Sequence, residues 1–251
     1  EVRLLGLSSQ ALASTLNTVI SGTNVTQVRD DIYLINVVVR ANEQERVSID
    51  GPAGPIDTLL DLPAKTRGIA LVCHPHPLYG GTAENKVVHT IARALRDLGY
   101  VALRPNFRGV GASGGVHDHG LGETEDMLAV MDYAGGRFGP LPAVLAGYSF
   151  GAYVQARVAK RLELAGRPAQ RMVLVGTAAG SVSEARIYDV EAVPRDTIVI
   201  HGEKDTTVPL PNVLDWARAF ELPVTLVPDA DHFFHRKLHV VREIIHHAWR
   251  H

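Results

Sequence analysis

Residues 143–152 read AVLAGYSFGA, an apolar run that leads into a serine set between two glycines. The run Ala143 to Gly147 predicts a buried strand, and apolar residues at helical spacing from Ser149 to Leu164 predict a helix directly after it. Ser149 therefore falls in the sharp turn that joins a strand to a helix. Glycine suits positions 147 and 151, because side chains beside a strained serine would clash. Such a unit is the repeating element of a parallel sheet with crossover helices.

The same alternation of short strands and longer helices extends over the chain from about residue 68. The predicted strands are Gly68 to Cys73, Val101 to Pro105, Ala143 to Gly147, Arg171 to Gly176, Thr197 to His201 and Val224 to Val227. The predicted helices are Asn85 to Leu98, Leu121 to Tyr133, Ser149 to Leu164, Pro211 to Phe220 and His235 to Trp249. Short, wholly apolar strands are buried on both faces, so the sequence predicts a three-layer α/β sandwich with a mostly parallel sheet. Before it, Val47 to Asp50 and Ile56 to Leu62 flank a glycine- and proline-rich turn, which predicts an antiparallel hairpin at the sheet edge.

Residues 1–46 do not follow this alternation. Ser8 to Ile20 predicts a helix with one apolar face, and Asn24 to Arg29 and Ile32 to Arg40 predict two strands. We expect a small αββ appendage over residues 1–46 and a main domain over residues 47–251. The appendage is expected to carry no chemistry and to be covered by the main domain or by a second copy of the chain, as a homodimer.

The composition excludes several classes of partner. The chain has 251 residues, with 25 lysines and arginines against 27 aspartates and glutamates, so its net charge of −2 offers no basic field for nucleic acid or an acidic membrane. Cys73 is the single cysteine, and no apolar run reaches the roughly 18 residues of a membrane span. The first residues lack the pattern of a signal peptide. We therefore expect a cytoplasmic protein that binds a small molecule and neither nucleic acid nor membrane.

Ser149 is the candidate nucleophile. Its place at the head of a helix directs backbone N–H groups, with their partial positive charge, at an oxyanion formed there. The alternative is a serine that only caps the helix. Because serine is a weak nucleophile near neutral pH, catalysis requires a histidine base and a carboxylate that orients the histidine.

Two loops that follow predicted strands supply these partners. One contains Asp205, the favoured acid, with Glu203 as its rival, and the other contains His232, the candidate base. The chain has twelve histidines, so this choice depends on position. Among the others, His201 is expected to belong to the strand end that positions Asp205. Seven more are expected to be surface residues or to lack the spacing or identifiable partners of metal ligands, namely His117, His119, His235, His239, His246, His247 and His251. No metal site is predicted.

An oxyanion hole requires two N–H donors beside the nucleophile. One is expected from Phe150, the residue after Ser149. The second is expected from the loop that follows the strand ending at Cys73, where prolines 75 and 77 are excluded because they have no N–H. His76, Leu78 and Tyr79 remain, with His76 preferred and Leu78 second.

These segments together resemble the α/β-hydrolase superfamily, in particular small lidless serine esterases related to dienelactone hydrolases. The matching blocks over residues 48–251 are Cys73 to Thr82 with Asn85 to Val88, Arg104 to Gly114, Gly147 to Ala152, His201 to Asp205, and Asp231-His232. The order serine, acid, histidine is also that of the superfamily. The resemblance implies a sheet of about eight strands, a triad of Ser149, Asp205 and His232, and ester hydrolysis without a cofactor.

The first 46 residues resemble something different. Leu5 to Gln10, Val25 to Leu34 and Arg40 to Arg46 are similar to a periplasmic αββ piece of resistance-nodulation-division efflux pumps. This resemblance suggests a fused fragment, which is too short to be a pump.

The interpretation from sequence is a serine carboxylesterase that acts on short acyl esters through an acyl-enzyme. Only about twenty residues separate Gly176 from Thr197, which leaves little chain for a helical lid. Tyr79, Tyr148 and Phe233 are the aromatic residues expected beside the substrate. The alternatives are thioester or lactone hydrolysis by the same triad, or a hydrolase scaffold that binds a partner without catalysis.

Overall fold

A computed structural model describes residues 24–30, 33–38, 44–183 and 186–249, with the backbone alone for residues 24–30, 33–38 and 183. The chain divides into two units, Glu1–Glu43 and Gln44–His251. The predicted boundary after residue 46 falls inside the first strand of the second unit, because the strand begins at Gln44.

The described part of the first unit is an antiparallel hairpin. Strands β1 (Asn24–Asp30) and β2 (Tyr33–Val38) pair with Val28 opposite Ile35, close to the two predicted strands. The predicted helix from Ser8 to Ile20 lies outside the described residues.

The second unit alternates strands and helices along its length. Its strands are β3 (Gln44–Gly51), β4 (Gly54–Asp61), β5 (Gly68–Cys73), β6 (Tyr100–Pro105), β7 (Ala143–Tyr148), β8 (Arg171–Val175), β9 (Gly180–Ser183), β10 (Arg186–Tyr188), β11 (Ile198–Gly202) and β12 (Val224–Val227). Its helices are α1 (Lys86–Asp97), α2 (Leu121–Phe138), α3 (Phe150–Leu164), α4 (Leu210–Ala219) and α5 (Leu238–Ala248). None of these helices is both long and apolar enough to cross a membrane.

Eight of the strands form one sheet in the order β12-β11-β8-β7-β5-β6-β4-β3. The six strands from β12 to β6 run parallel, and the predicted hairpin of β3 and β4 adds two antiparallel strands at one edge. The parallel strands all end on the same side of the sheet, here called its carboxyl edge. Open α/β sheets bind their ligands on this side.

The core lies on both faces of this sheet. Along β5 the side chains of Ile69 and Leu71 join the cluster under α2, α3 and α4, whereas Ala70 and Val72 join the cluster under α1 and α5. Side chains on a strand alternate between faces, so a strand covered on both sides must be apolar throughout. This explains why the sequence shows continuous apolar runs, and the predicted three-layer architecture is confirmed.

One element was not expected from sequence. The stretch between Gly176 and Thr197 contains the short antiparallel pair β9 and β10, with Ile187 opposite Ser181. Its strands have four and three residues, too short for a recognisable alternation. In the described residues of this stretch there is no helix, in keeping with the predicted lack of a helical lid.

Candidate functional site

The candidate site lies at the carboxyl edge of the sheet, where loops from four parallel strands converge. Ser149 follows β7, Asp205 follows β11, His232 follows β12 and His76 follows β5. Residues far apart in the sequence thus come together at a single edge.

Ser149 occupies a strained backbone turn. Its φ of 56° and ψ of −119° lie outside the regions that L-residues favour, and its N–H donates to the carbonyl of Val175 at 2.9 Å. A Cβ on Gly147 would overlap the Gly151 carbonyl, and a Cβ on Gly151 would overlap the Cys73 carbonyl. The predicted turn therefore requires both glycines for lack of space, and it holds the serine hydroxyl above the sheet edge.

Ser149, His232 and Asp205 form a continuous chain of hydrogen bonds. His232 Nε2 lies 3.1 Å from Ser149 Oγ, and His232 Nδ1 lies 2.7 Å from Asp205 Oδ2. A carboxylate only accepts, so Nδ1 of the neutral imidazole carries the proton and Nε2 accepts from the serine hydroxyl. The three residues are buried, with 8% of Ser149, 6% of Asp205 and 4% of His232 exposed. The arrangement can therefore draw a proton from the serine hydroxyl in a setting with little water.

Asp205 is held by more than His232. Its Oδ1 accepts from the N–H groups of Thr207 at 2.9 Å and Val208 at 2.8 Å. The fully buried His201 lies with Nε2 3.1 Å from the Val208 carbonyl and 3.6 Å from Asp205 Oδ2. Burial lowers the pKa of His201, which keeps it neutral beside the carboxylate. As expected from sequence, His201 belongs to the end of the strand that precedes Asp205.

Glu203, the rival acid, points elsewhere. It is exposed, and its carboxylate accepts from the N–H of Asp229 at 2.8 Å. It therefore braces the loop that precedes His232, and Asp205 alone of the two acids reaches the imidazole.

Tyr148 does not lie where a substrate-contacting residue would. Its side chain is fully buried, its hydroxyl donates to the main-chain carbonyl of His232 at 2.9 Å, and its ring centroid lies 5.1 Å from that of His232. The predicted contact between Tyr148 and substrate does not fit this placement, because the buried side chain packs against His232 and hydrogen-bonds its main chain. Phe233, in contrast, is 53% exposed beside His232.

The loop after β5 leaves one of the three candidate N–H donors available. Leu78 N–H donates to Nδ1 of His76 at 3.3 Å, and Tyr79 N–H donates to the His76 carbonyl at 3.1 Å, because Pro77–Tyr79 form a 3₁₀ turn. Within the described residues no acceptor faces the N–H of His76 or that of Phe150. The side-chain rings of His76 and Phe150 lie 4.9 Å apart. These two N–H groups are therefore free to bind an oxygen of a ligand.

A fully buried histidine, His74, fixes this loop and was not singled out from sequence. Its Nδ1 donates to the Pro75 carbonyl at 2.7 Å, and its Nε2 accepts from the N–H of Phe107 at 2.8 Å in the loop after β6. Burial lowers the pKa of His74 to about 4, which keeps it neutral. A lone histidine directly after an apolar strand is the signal that could have identified it.

Three histidines near the site do not form a metal centre. The rings of His76 and His119 each lie within 5 Å of that of His117, but His117 Nδ1 is engaged by the buried Glu123 at 2.8 Å. Within the part of the chain that the structure describes, no group of three or more histidine, cysteine, aspartate or glutamate side chains has the geometry of a metal site.

Comparisons with known proteins agree with this fold. A family model described as a thioesterase domain matches residues 89–192. An uncharacterized protein of Rickettsia prowazekii is 30% identical over 202 residues, which cover 76% of this chain and 83% of that protein. The matches give no support to the resemblance of residues 1–46 to an efflux-pump fragment.

Solved structures give closer likenesses. An α/β serine hydrolase without a lid from Xanthomonas campestris is 41% identical with a TM-score of 0.74, over 83% of this chain and 94% of that chain. An α/β serine hydrolase homologue from Coxiella burnetii is 34% identical with a TM-score of 0.71, over 82% of this chain and 97% of that chain. This chain is thus similar to both relatives in sequence and in fold, over nearly the whole length of each relative. The chain belongs to the α/β serine hydrolase family.

Proposed function

We propose that the protein is a carboxylesterase that hydrolyses short acyl esters through an acyl-enzyme on Ser149. The observation that carries the proposal is the chain of hydrogen bonds from Ser149 through His232 to Asp205. An unreactive serine that only caps α3 would need neither a buried histidine nor a buried carboxylate behind it.

In the first half of the reaction, Ser149 Oγ attacks the ester carbonyl while His232 Nε2 takes the serine proton. Asp205 stabilises the imidazolium that results and keeps the ring in place. The C–O bond to the alcohol then breaks, and His232 returns the proton to the leaving alkoxide. The acyl group is now joined to Ser149 as an ester.

In the second half, water enters and His232 takes one of its protons as the water oxygen attacks the acyl-enzyme. The tetrahedral intermediate collapses, the bond to Ser149 Oγ breaks, and the serine recovers its proton. In both halves the developing oxyanion is bound by the N–H groups of Phe150 and His76, the two that have no acceptor among the described residues. Loss of one such donor typically lowers turnover by about 10²- to 10³-fold.

A thioester is the second candidate substrate. The match to a thioesterase-domain model over residues 89–192 favours it, and the same nucleophile, base and oxyanion donors would act on a thioester carbonyl. Matched esters and thioesters of one acyl group distinguish the two, by the ratio of their kcat/KM values. A lactone of similar size tests the third possibility on the same triad.

The deciding experiment is labelling by a fluorophosphonate, with the adduct mapped by mass spectrometry. We expect the label on Ser149, loss of labelling in Ser149→Ala, and turnover of p-nitrophenyl acetate, butyrate and hexanoate that exceeds turnover of the dodecanoate. Ser48→Ala removes an exposed serine of β3 and is the matched control, with wild-type labelling and turnover. Unlabelled Ser149 in the folded wild-type protein, with no ester or thioester turnover, would indicate a scaffold without catalysis.

A further inference from the structure

A separate cavity of about 270 Å³ adjoins the proposed oxyanion donors. His76 and Phe150 line it, as do Ile187 and Tyr188 of β10. The strand β10, which the sequence did not predict, thus forms one wall. Because an engineered apolar cavity of roughly 150 Å³ holds benzene, this cavity has room for a six-membered ring.

The cavity lies on the acyl side of the proposed reaction. The leaving alkoxide must receive its proton from His232, so the alcohol part of the ester lies beside that residue. His232 and Phe233 do not line the cavity, whereas Phe150 and His76, whose N–H groups would hold the carbonyl oxygen, do. The group attached to the carbonyl carbon is thus the one that can enter.

Aromatic rings form much of the cavity wall. Phe150, Tyr153 and Tyr188 make a triangle in which the ring centroids lie 5.9, 6.1 and 5.1 Å apart. Phe150 and Tyr188 are buried, whereas the two aliphatic side chains among the described lining residues, Leu78 and Ile187, are both exposed. A ligand group that enters away from solvent therefore meets rings.

Histidine rings continue this wall beside the proposed oxyanion donors. The ring of His76 lies 4.9 Å from that of Phe150 and 4.6 Å from that of His117. Burial, together with the adjacent His117 and Arg186, lowers the pKa of His76 to about 4. His76 is therefore neutral at physiological pH, and a neutral ring can pack against an uncharged ligand.

The arginine of the cavity wall is engaged by two of the aromatic side chains. The Arg186 guanidinium carbon lies 4.3 Å from the ring centroid of Tyr79, and the guanidinium donates a hydrogen bond to the Tyr188 hydroxyl. These contacts connect the 3₁₀ turn after β5 to β10. Arg186 thus braces two aromatic walls of the cavity.

We propose that this cavity is the acyl subsite and that its aromatic walls select acyl groups that carry an aromatic ring. Rings in contact attract one another edge to face, beyond the gain from burying equal area. The preferred substrates are then esters of arylacetic acids and similar compact aromatic acids. This inference rests on the proposed esterase function and narrows its substrate class.

The test compares p-nitrophenyl phenylacetate with p-nitrophenyl cyclohexylacetate. The two esters have the same carbon skeleton and leaving group, and neither ring is conjugated with the carbonyl. Each kcat/KM is corrected for the rate with Ser149→Ala and divided by the rate constant for alkaline hydrolysis of the same ester. We expect the corrected value to be about 3- to 10-fold higher for phenylacetate in the wild-type protein, as expected for aromatic contacts.

Variants of Tyr153, which is half-buried, test whether the ring is responsible. Tyr153→Leu should lower the ratio of phenylacetate to cyclohexylacetate by about 2- to 5-fold, because one aromatic wall is lost. Tyr153→Phe keeps the ring and should keep the ratio. Tyr133→Leu is the matched control, since Tyr133 is a half-buried tyrosine of α2 that does not line the cavity, and it should leave the ratio unchanged.

The proposal is overturned if the wild-type protein hydrolyses both esters equally or favours cyclohexylacetate. It is also overturned if Tyr153→Leu leaves the ratio unchanged, or if the phenylalanine or control variant lowers the ratio as much as Tyr153→Leu does. Turnover of p-nitrophenyl acetate and fluorophosphonate labelling of the same proteins report on the esterase function, because an acetyl group carries no ring. Equal turnover of the two ring esters with normal acetate turnover would remove the subsite alone.

Discussion

Asp205 shows how much support one side chain of the proposed triad receives. Its Oδ1 accepts from two backbone N–H groups and its Oδ2 accepts from His232, and His201 Nε2 lies 3.6 Å from the same Oδ2. Such partners fix the rotamer of the carboxylate before substrate arrives. A misplacement of about 1 Å in a catalytic group can cost roughly 10²-fold in rate, so this support has kinetic consequences.

At this scale we predict that His201 is a positioning residue that acts through Asp205. His201→Leu removes the N–H between the Val208 carbonyl and the carboxylate, and should lower kcat by about 10- to 100-fold with little change in KM. His201→Gln can still donate and should recover most of the rate. His239→Leu, at an exposed histidine of α5, is the control. Equal losses in the leucine and glutamine variants, or a change in KM alone, would argue against positioning.

The residue scale also shows what sequence could provide and what it could not. The strand–serine–helix turn, the acid and the histidine were predictable, because each lies in a loop that follows an apolar run. Tyr148 was misplaced, although alternation along β7 puts it on the same face as the buried Val144 and Ala146. The choice among His76, Leu78 and Tyr79 as donor depends on the 3₁₀ turn, which no periodicity reveals.

At the scale of elements, His74 connects the loops that follow β5 and β6. Its ring is neutral because a buried imidazolium would lack solvation and would lose the acceptor that holds Phe107 N–H. The loop that carries the proposed oxyanion donor is thereby tied to its neighbour through one side chain.

This bond predicts a pH-dependent stability. The folded-state pKa of His74, about 4, lies below its unfolded value of about 6.5, so the unfolded chain binds more protons between these values. This contribution to the free energy of unfolding is complete above pH 6.5 and is lost as the pH falls towards 4. The loss amounts to about 2 kcal/mol at pH 5. We therefore expect His74→Gln to be less stable at pH 7 in urea unfolding, yet to lose less stability than wild type between pH 7 and pH 5.

The control for that measurement is His239→Gln, which changes an exposed histidine and should follow the wild-type pH dependence. Parallel pH profiles for His74→Gln and wild type would contradict a neutral, buried His74. The helices were easier to predict than this bond. The α1 start at Lys86 differs by one residue from the prediction, because Asn85 caps the helix through the N–H of Val87 at 2.9 Å.

At the scale of the whole molecule, every group in the proposed chemistry belongs to the unit Gln44–His251. We propose that residues 1–43 serve assembly and take no part in catalysis. Each strand of their two-stranded sheet has a neighbour on one side only within that sheet, and an unpaired strand edge can pair with another chain. The sequence could predict the two strands but not this role, because an unpaired strand edge does not identify the chain that would pair with it.

Deletion of residues 1–43 should therefore leave ester hydrolysis unchanged, because β3 starts at Gln44 and remains intact. The mass measured by light scattering should fall from that of a dimer to that of a monomer. A full-length chain that is already monomeric, or a truncated chain that remains dimeric, would remove the proposed role. Circular dichroism before and after deletion verifies that the second unit is still folded.

The order of strands in the sheet has a further consequence for how this protein loses activity on heating. Ser149 follows β7, an interior strand of the sheet. His232 follows β12, an edge strand that has a neighbour on one side only. Local opening begins at the less stable parts of a fold, and a strand paired on one side only has fewer hydrogen bonds to break. We therefore expect the loop that carries the proposed general base to open before the turn at Ser149 does. Mild heating should then abolish ester turnover while most of the fold persists, and cooling should restore the turnover.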